Sequence, residues 1–147
     1  MPIKDLLQQD MKDAMRAKDK PRLGTIRLML AAIKQIEVDE RIELSDDQVI
    51  VVLDKMVKQR RESISQFETA GRDDLIAQEN LELDFIKPYM PEALGENELK
   101  ALIDAAMEDT GASSIKDMGK VMGQLKPQIQ GRADMGAVSA LIKSRLQ

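Results

Sequence analysis

Glu79 and Glu82, three residues apart in a helical pattern, are the nearest this chain comes to an acid–base pair. At that spacing both carboxylates share one helix face, where paired acids can move a proton or hold a cation. Nothing in the neighbouring sequence completes such a site. The chain has no histidine and no cysteine. That removes zinc sites of the usual kind, cysteine nucleophiles, histidine general bases and Ser-His-Asp triads together. No third ligand or nucleophile stands near the two acids, and pairing with a basic helix is the simpler account of them. No catalytic or metal-binding residue is assigned, and no cofactor is expected.

Phosphate binding is the other chemistry these residue types can do. Between positions 16 and 34 there are six basic residues, Arg16, Lys18, Lys20, Arg22, Arg27 and Lys34, against one acid, Asp19. Lys55, Lys58, Arg60 and Arg61 form a second acid-free run. Lysine offers phosphate a point charge and arginine a bidentate fork. The same residues also make an ordinary solvated basic face, and Arg60 and Arg61 can meet Glu82 and Glu79 across an antiparallel hairpin. The most unusual wording lies near the C-terminus, KDMGKVMG at 116–123 and GRADMG at 131–136. Gly119 and Gly123, four apart, fall on one helix face, and each costs a helix about 1 kcal/mol relative to alanine. Close packing of a helix or backbone against them is one reason to place them there. Close approach of a nucleic-acid backbone is the other, with Lys116, Lys120, Lys126 and Arg132 at hand. The wording is not a P-loop, because no strand precedes it and the Lys-Ser/Thr element is missing. The candidate nucleic-acid contacts are Lys116, Gly119, Lys120, Lys126, Gly131 and Arg132, with Arg22 and Arg27 nearer the N-terminus.

The elements that must hold these residues are helices. Ile3, Leu7, Met11 and Ala14, with Leu6 and Met15 beside them, form an apolar stripe of helical period. Pro21 suits the first turn of a second helix. That helix carries Leu23, Ile26, Leu30 and Ile33, with Leu28, Met29 and Ile36 widening the face enough to touch more than one neighbour. Ser45 and Gln48 spell a capping box. A third helix runs from there to Ala70, with Val49, Leu53, Met56, Ile64 and Phe67 as its stripe and Gly71 as a left-handed stop. A fourth spans about 73–87, ended by Pro88. Pro88 and Pro91 then mark a boundary, since neither they nor the residues before them favour helix. Three shorter helices follow. Leu99, Leu102, Ile103, Ala106 and Met107 belong to the first. Ile115, Met118, Met122 and Leu125 belong to the second, capped by Ser113 or Ser114 and ended by Pro127. Val138, Leu141, Ile142 and Leu146 belong to the third, with Asp134 as N-cap. The expected architecture is all-α, an N-terminal four-helix lobe (1–88), a Pro-rich linker (89–95) and a C-terminal three-helix lobe (96–147).

Composition bounds the partners. At 147 residues the chain can bury roughly two thirds of its unfolded surface without disulfide staples. A net charge of −4 gives no global attraction to nucleic acid or anionic membrane, so any such contact must be local. With three aromatic residues, Phe67, Phe85 and Tyr89, and no tryptophan, base-stacking platforms of the RRM or OB type are disfavoured. The ten methionines read as adaptable core filler. The start lacks the apolar run of a signal peptide and no stretch is apolar enough to span a membrane. With no cysteine besides, the chain reads as cytoplasmic.

Six blocks in order, RAKDKPRLGTIR (16–27), KQR (58–60), FETAGR (67–72), YMP (89–91), KDMGKVM (116–122) and GRAD (131–134), resemble the GatB/YqeY family, and more narrowly its free-standing bacterial YqeY-like members. The resemblance covers nearly the whole chain. It implies homology to the C-terminal tail of the B subunit of tRNA-dependent amidotransferases, which convert misacylated Glu-tRNA or Asp-tRNA to the Gln or Asn form. That tail has two helical lobes and docks on the outer corner of the tRNA. Carried over position by position, the resemblance marks Lys116, Gly119, Lys120, Gly131 and Arg132 as contacts or points of backbone approach. The family's activity, a carbon–nitrogen ligase with glutamine as amido-N-donor, belongs to the large domain that precedes the tail and is not expected of these residues. Three functions stand as expectations. The first is an accessory protein that binds tRNA or another structured RNA. The second is an adaptor for a protein partner in tRNA aminoacylation or amidation. The third and weakest is a stand-alone amidotransferase.

Overall fold

The computed structural model describes residues 1–147 as helices without strands. In chain order they are α1 (Ile3–Ala17), α2 (Lys20–Glu40), α3 (Asp46–Ala70), α4 (Asp73–Ile86), α5 (Glu96–Thr110), α6 (Met118–Ile129) and α7 (Met135–Leu146). Short 3-10 turns cover Lys87–Tyr89 and Ile115–Asp117. The chain divides into two compact units, Met1–Met90 and Pro91–Gln147. The fold is all-α, as the helical periods require.

Local chemistry sets most of the helix ends. Lys18 takes a left-handed conformation (φ 57°) that closes α1, and the Asp19 carboxylate accepts from the Arg22 N–H to open α2 two residues later. The Ser45/Gln48 capping box opens α3, with the Gln48 side-chain oxygen accepting from the Ser45 N–H at 2.9 Å. Gly71 (φ 68°) ends α3, and Asp134 accepts from the Gly136 N–H to start α7.

In the first unit Leu7, Ala14, Ile26, Met29, Ile33, Val49, Leu53, Leu83 and Ile86 share one core. Two long-range polar ties close its corners. Lys4 donates to Glu37 at 2.7 Å, and the same carboxylate accepts from the Leu44 N–H at 2.8 Å. The Lys4 ammonium and the Leu44 N–H both favour the ionised carboxyl, so the Glu37 pKa is lowered while that of Lys4 is raised. At the other tie the buried Tyr89 hydroxyl donates to Asp10, 79 residues away in sequence, and the Arg22 guanidinium lies 3.8 Å from the same carboxylate.

Tyr89 is the chain's one tyrosine, and with no tryptophan present tyrosinate absorbance reads this hydroxyl alone. Burial first, and the Asp10 carboxylate second, push its pKa up to about 12. A value raised in the folded state means the neutral hydroxyl's contribution to stability is intact below pH ~10, the unfolded value, and is lost as pH rises through ~12. An absorbance titration of the native chain should therefore centre near pH ~12, against ~10 in denaturant. A native midpoint at the denatured value would show that Tyr89 is not held by Asp10.

The second unit gathers Ile103, Ala106, Val121, Leu125, Ile129, Val138, Ile142 and Leu146 around α5, α6 and α7. The residues expected as a linker are divided between the units. Tyr89 and Met90 pack into the first core. Leu94 packs into the second, and its N–H donates to the Arg132 carbonyl at 2.9 Å.

Three local expectations are corrected. Leu6, Met15 and Leu28 are exposed (37%, 50% and 46%), because the inner faces of α1 and α2 are filled by Leu7, Ala14, Thr25, Ile26, Met29 and Ile33. The α-helix proper of the sixth element begins only at Met118, because the expected serine cap, Ser114, opens a 3-10 turn ahead of it, in which Asp117 accepts from the Ser113 and Ser114 N–H groups. Pro127 does not end that helix but sits inside its last turn. The turn continues because it carries Ile129, which is completely buried, so core packing offsets the hydrogen bond that proline cannot make.

Candidate nucleic-acid interface

The inner face of α6 is set by Val121, Leu125 and Ile129, all fully buried, with Met118 and Met122 packed beside them. At 3.6 residues per turn the opposite face carries Gly119, Gly123 and Lys126, flanked by Lys120. Lys116 precedes them in the 3-10 turn that leads into the helix. All five residues are exposed. A methyl group built on Gly119 or Gly123 would meet nothing within 4 Å. The close packing weighed for these glycines is therefore absent. They form an open floor on a helix that contains no acidic residue.

None of Lys116, Lys120 and Lys126 makes an ion pair. Lys120 adds a minor electrostatic pull on Asp117, whose pKa is lowered chiefly by the Ser113 and Ser114 N–H groups. From Met118 to Gln147 the chain carries Lys120, Lys126, Arg132, Lys143 and Arg145 against the single acid Asp134. Arg132 and Arg145, however, lie against Glu98 and Asp104 of α5, and Asp109 of α5 accepts from the Gln124 amide, so the unpaired cations of α6 are Lys120 and Lys126. A chain that is acidic overall thus presents a cationic strip with exposed backbone between its lysines, which is what a phosphate backbone can approach.

The remaining candidates are placed differently. Gly131 (φ 77°) forms the left-handed turn after α6, a conformation that favours glycine. Arg132, half-buried, is already engaged within its own unit. Its Nε donates to the Glu92 carbonyl at 2.9 Å and its Nη2 lies 3.8 Å from Glu98. Arg22 belongs to the Tyr89–Asp10 tie, whereas Arg27 is exposed on α2, in the other unit. The structure therefore places Gly119, Gly123, Lys120 and Lys126 on α6 with Lys116 in the turn before it, while Arg22 and Arg27 belong to the other unit. Spacing alone shows the lysine–glycine face, but nothing local in sequence shows that Arg132 and Arg22 are already engaged.

The acid pair meets its expected partner in part. Arg60 Nε stands 3.7 Å from Glu82 between α3 and α4, and the Arg60 guanidinium also donates to the Met56 carbonyl. Burial raises the Glu79 pKa, with the neighbouring Glu82 charge adding to it and Arg60 opposing it. No cluster of three or more acids is arranged to hold a metal ion. A cleft of about 470 Å³ between α5 and α7 is floored by Leu99, Ile103 and Leu141 and rimmed by Glu96, Asn97, Lys100 and Arg145. No helix is long and apolar enough to cross a membrane.

Comparison with known proteins places the chain. Residues 4–146 match the family model described as Yqey-like protein. Among curated relatives, Altered inheritance of mitochondria protein 41, mitochondrial, from Eremothecium gossypii is 39% identical over 146 residues, covering 95% of this chain and 78% of that protein. Its namesake from Pyrenophora tritici-repentis is 35% identical over 129 residues, covering 86% and 71%. That from Saccharomyces cerevisiae is 35% identical over 127 residues, covering 82% and 68%. These names correct the cytoplasmic placement, because the relatives are named as mitochondrial proteins. The inference failed because neither the lack of cysteine nor the lack of a long apolar run distinguishes the cytosol from the interior of an organelle. With its match running over nearly all its length, the chain belongs to the family of YqeY-like proteins.

Proposed function

We propose that this YqeY-like chain is an accessory protein that binds tRNA or another structured RNA through the outward face of α6, in the manner of the amidotransferase B-subunit tail that its sequence resembles. The observation that carries the reading is the open glycine floor beside unpaired lysines. Two helical glycines that touch nothing cost the helix stability and give nothing back within the protein. A ligand that needs the backbone close supplies the missing reason. The scarcity of aromatic side chains fits contact with a folded RNA's backbone better than stacking on its bases.

The test is binding of the purified chain to total tRNA and to a control RNA duplex, titrated in salt. Three phosphate contacts give a slope of log affinity on log salt of about −2 to −3. Binding is expected to favour tRNA and to fall with that slope. Absence of tRNA binding at low salt, where screening is weakest, would overturn the reading.

A further inference from the structure

We propose that the outward face of α2 docks an acidic amphipathic helix of a protein partner. This goes beyond the RNA reading, which concerns α6 in the other unit. The inner face of α2 is filled by Thr25, Ile26, Met29 and Ile33. On its outer face Gly24, Leu28, Ala31, Gln35 and Val38 follow one another at steps of four, three, four and three, the spacing of a heptad seam. All five are exposed, Leu28 at 46% and Val38 at 60%, and a methyl group on Gly24 would meet nothing within 4 Å. A helix that is apolar on two faces and packed on one has a face left to cover. The small residues Gly24 and Ala31, alternating with Leu28 and Val38, give an incoming helix holes as well as knobs.

Charge identifies the occupant. Along one flank of the seam run Lys20, Arg27 and Lys34, each seven residues from the next, all exposed and none in an ion pair. The other flank carries Thr25, which is buried, Ala32 and Asp39, and Asp39 is occupied by the Gln35 amide at 2.9 Å. A second copy of this chain fits poorly. Laid antiparallel it sets the basic row against itself, and laid parallel it offers that row a single acid already engaged. An acidic flank on a different helix satisfies all three cations. Nucleic acid would use the cations but gains nothing from Leu28 and Val38 at the centre of the strip, since its interfaces are polar and strongly charged.

The test is selection of a displayed library of 21-residue helical peptides, apolar at a and d and randomised at the flanking positions, against the full chain. Enrichment of Glu and Asp at one flank is expected. The selected peptides should bind the Leu28→Glu/Val38→Glu variant and the Arg27→Glu/Lys34→Glu variant about tenfold or more weakly. These are exposed positions, and circular dichroism confirms that the helices persist. No enrichment, basic enrichment, or binding indifferent to Leu28 and Val38 would overturn the proposal. So would displacement of the peptides by total tRNA, which would make this an RNA face. Each of these outcomes leaves the α6 reading untouched.

Discussion

Reversing Lys116, Lys120 and Lys126 together to glutamate is expected to weaken tRNA binding about 100-fold at low salt and to flatten its salt dependence, the slope losing about 2 to 3. The expectation follows from their placement. All three are exposed, none is held by an acid, and the core contacts of α6 come from its opposite face. The variant should therefore keep its helix content and melting temperature while losing affinity. The same charge change on Lys12, Lys55 and Lys87, exposed in the other unit, separates a local effect from that of net charge and should cost far less. Arg132 is left out on purpose. Its guanidinium holds the Glu92 carbonyl, so Arg132→Glu would loosen the chain at 92–94 and confound binding with folding. Equal losses from the α6 triple and the distant triple would show that only bulk charge matters and would remove α6 as the site.

What sequence could and could not show divides along the range of the interactions. The Ser45/Gln48 box, the Gly71 stop and the Asp134 cap were legible because a cap is made by residues a few positions apart. The basic face of α6 was legible for the same reason, since helical period alone places Gly119, Gly123 and Lys126 on one side. In α2 the apolar residues run round the helix, so period could not decide which of them face inward, and Leu28 was expected in a core that Met29 and Thr25 occupy. The Tyr89–Asp10 and Lys4–Glu37 ties join residues far apart in sequence, and no local pattern announces them. Pro127 misled because local chemistry disfavours a helix there, whereas the burial of Ile129, a tertiary fact, prolongs it. The two glycines were ambiguous in kind. Whether a helical glycine faces a neighbour or open space is settled only when the other helices are in place.

That openness gives the prediction with the most diagnostic sign. Gly119→Ala with Gly123→Ala puts two methyl groups where nothing stands within 4 Å, at helical positions with no positive φ to strain. Each should stabilise by about 1 kcal/mol through helix propensity and reduced unfolded-state freedom. About 2 kcal/mol in a unit of Pro91–Gln147 raises its melting temperature by roughly 8–16 °C, taking the scaling for small domains. If the glycines only pack the protein, alanine should destabilise. If they are mere accidents of sequence, the variant should be more stable and bind RNA as before. The proposed function requires the third result, a more stable protein that binds tRNA more weakly, because the methyl groups hold a phosphate backbone away from the helix while leaving the lysines in place. Stability measured by thermal melting and affinity measured on the same preparation must then move in opposite directions, a pattern that general damage to the fold cannot produce.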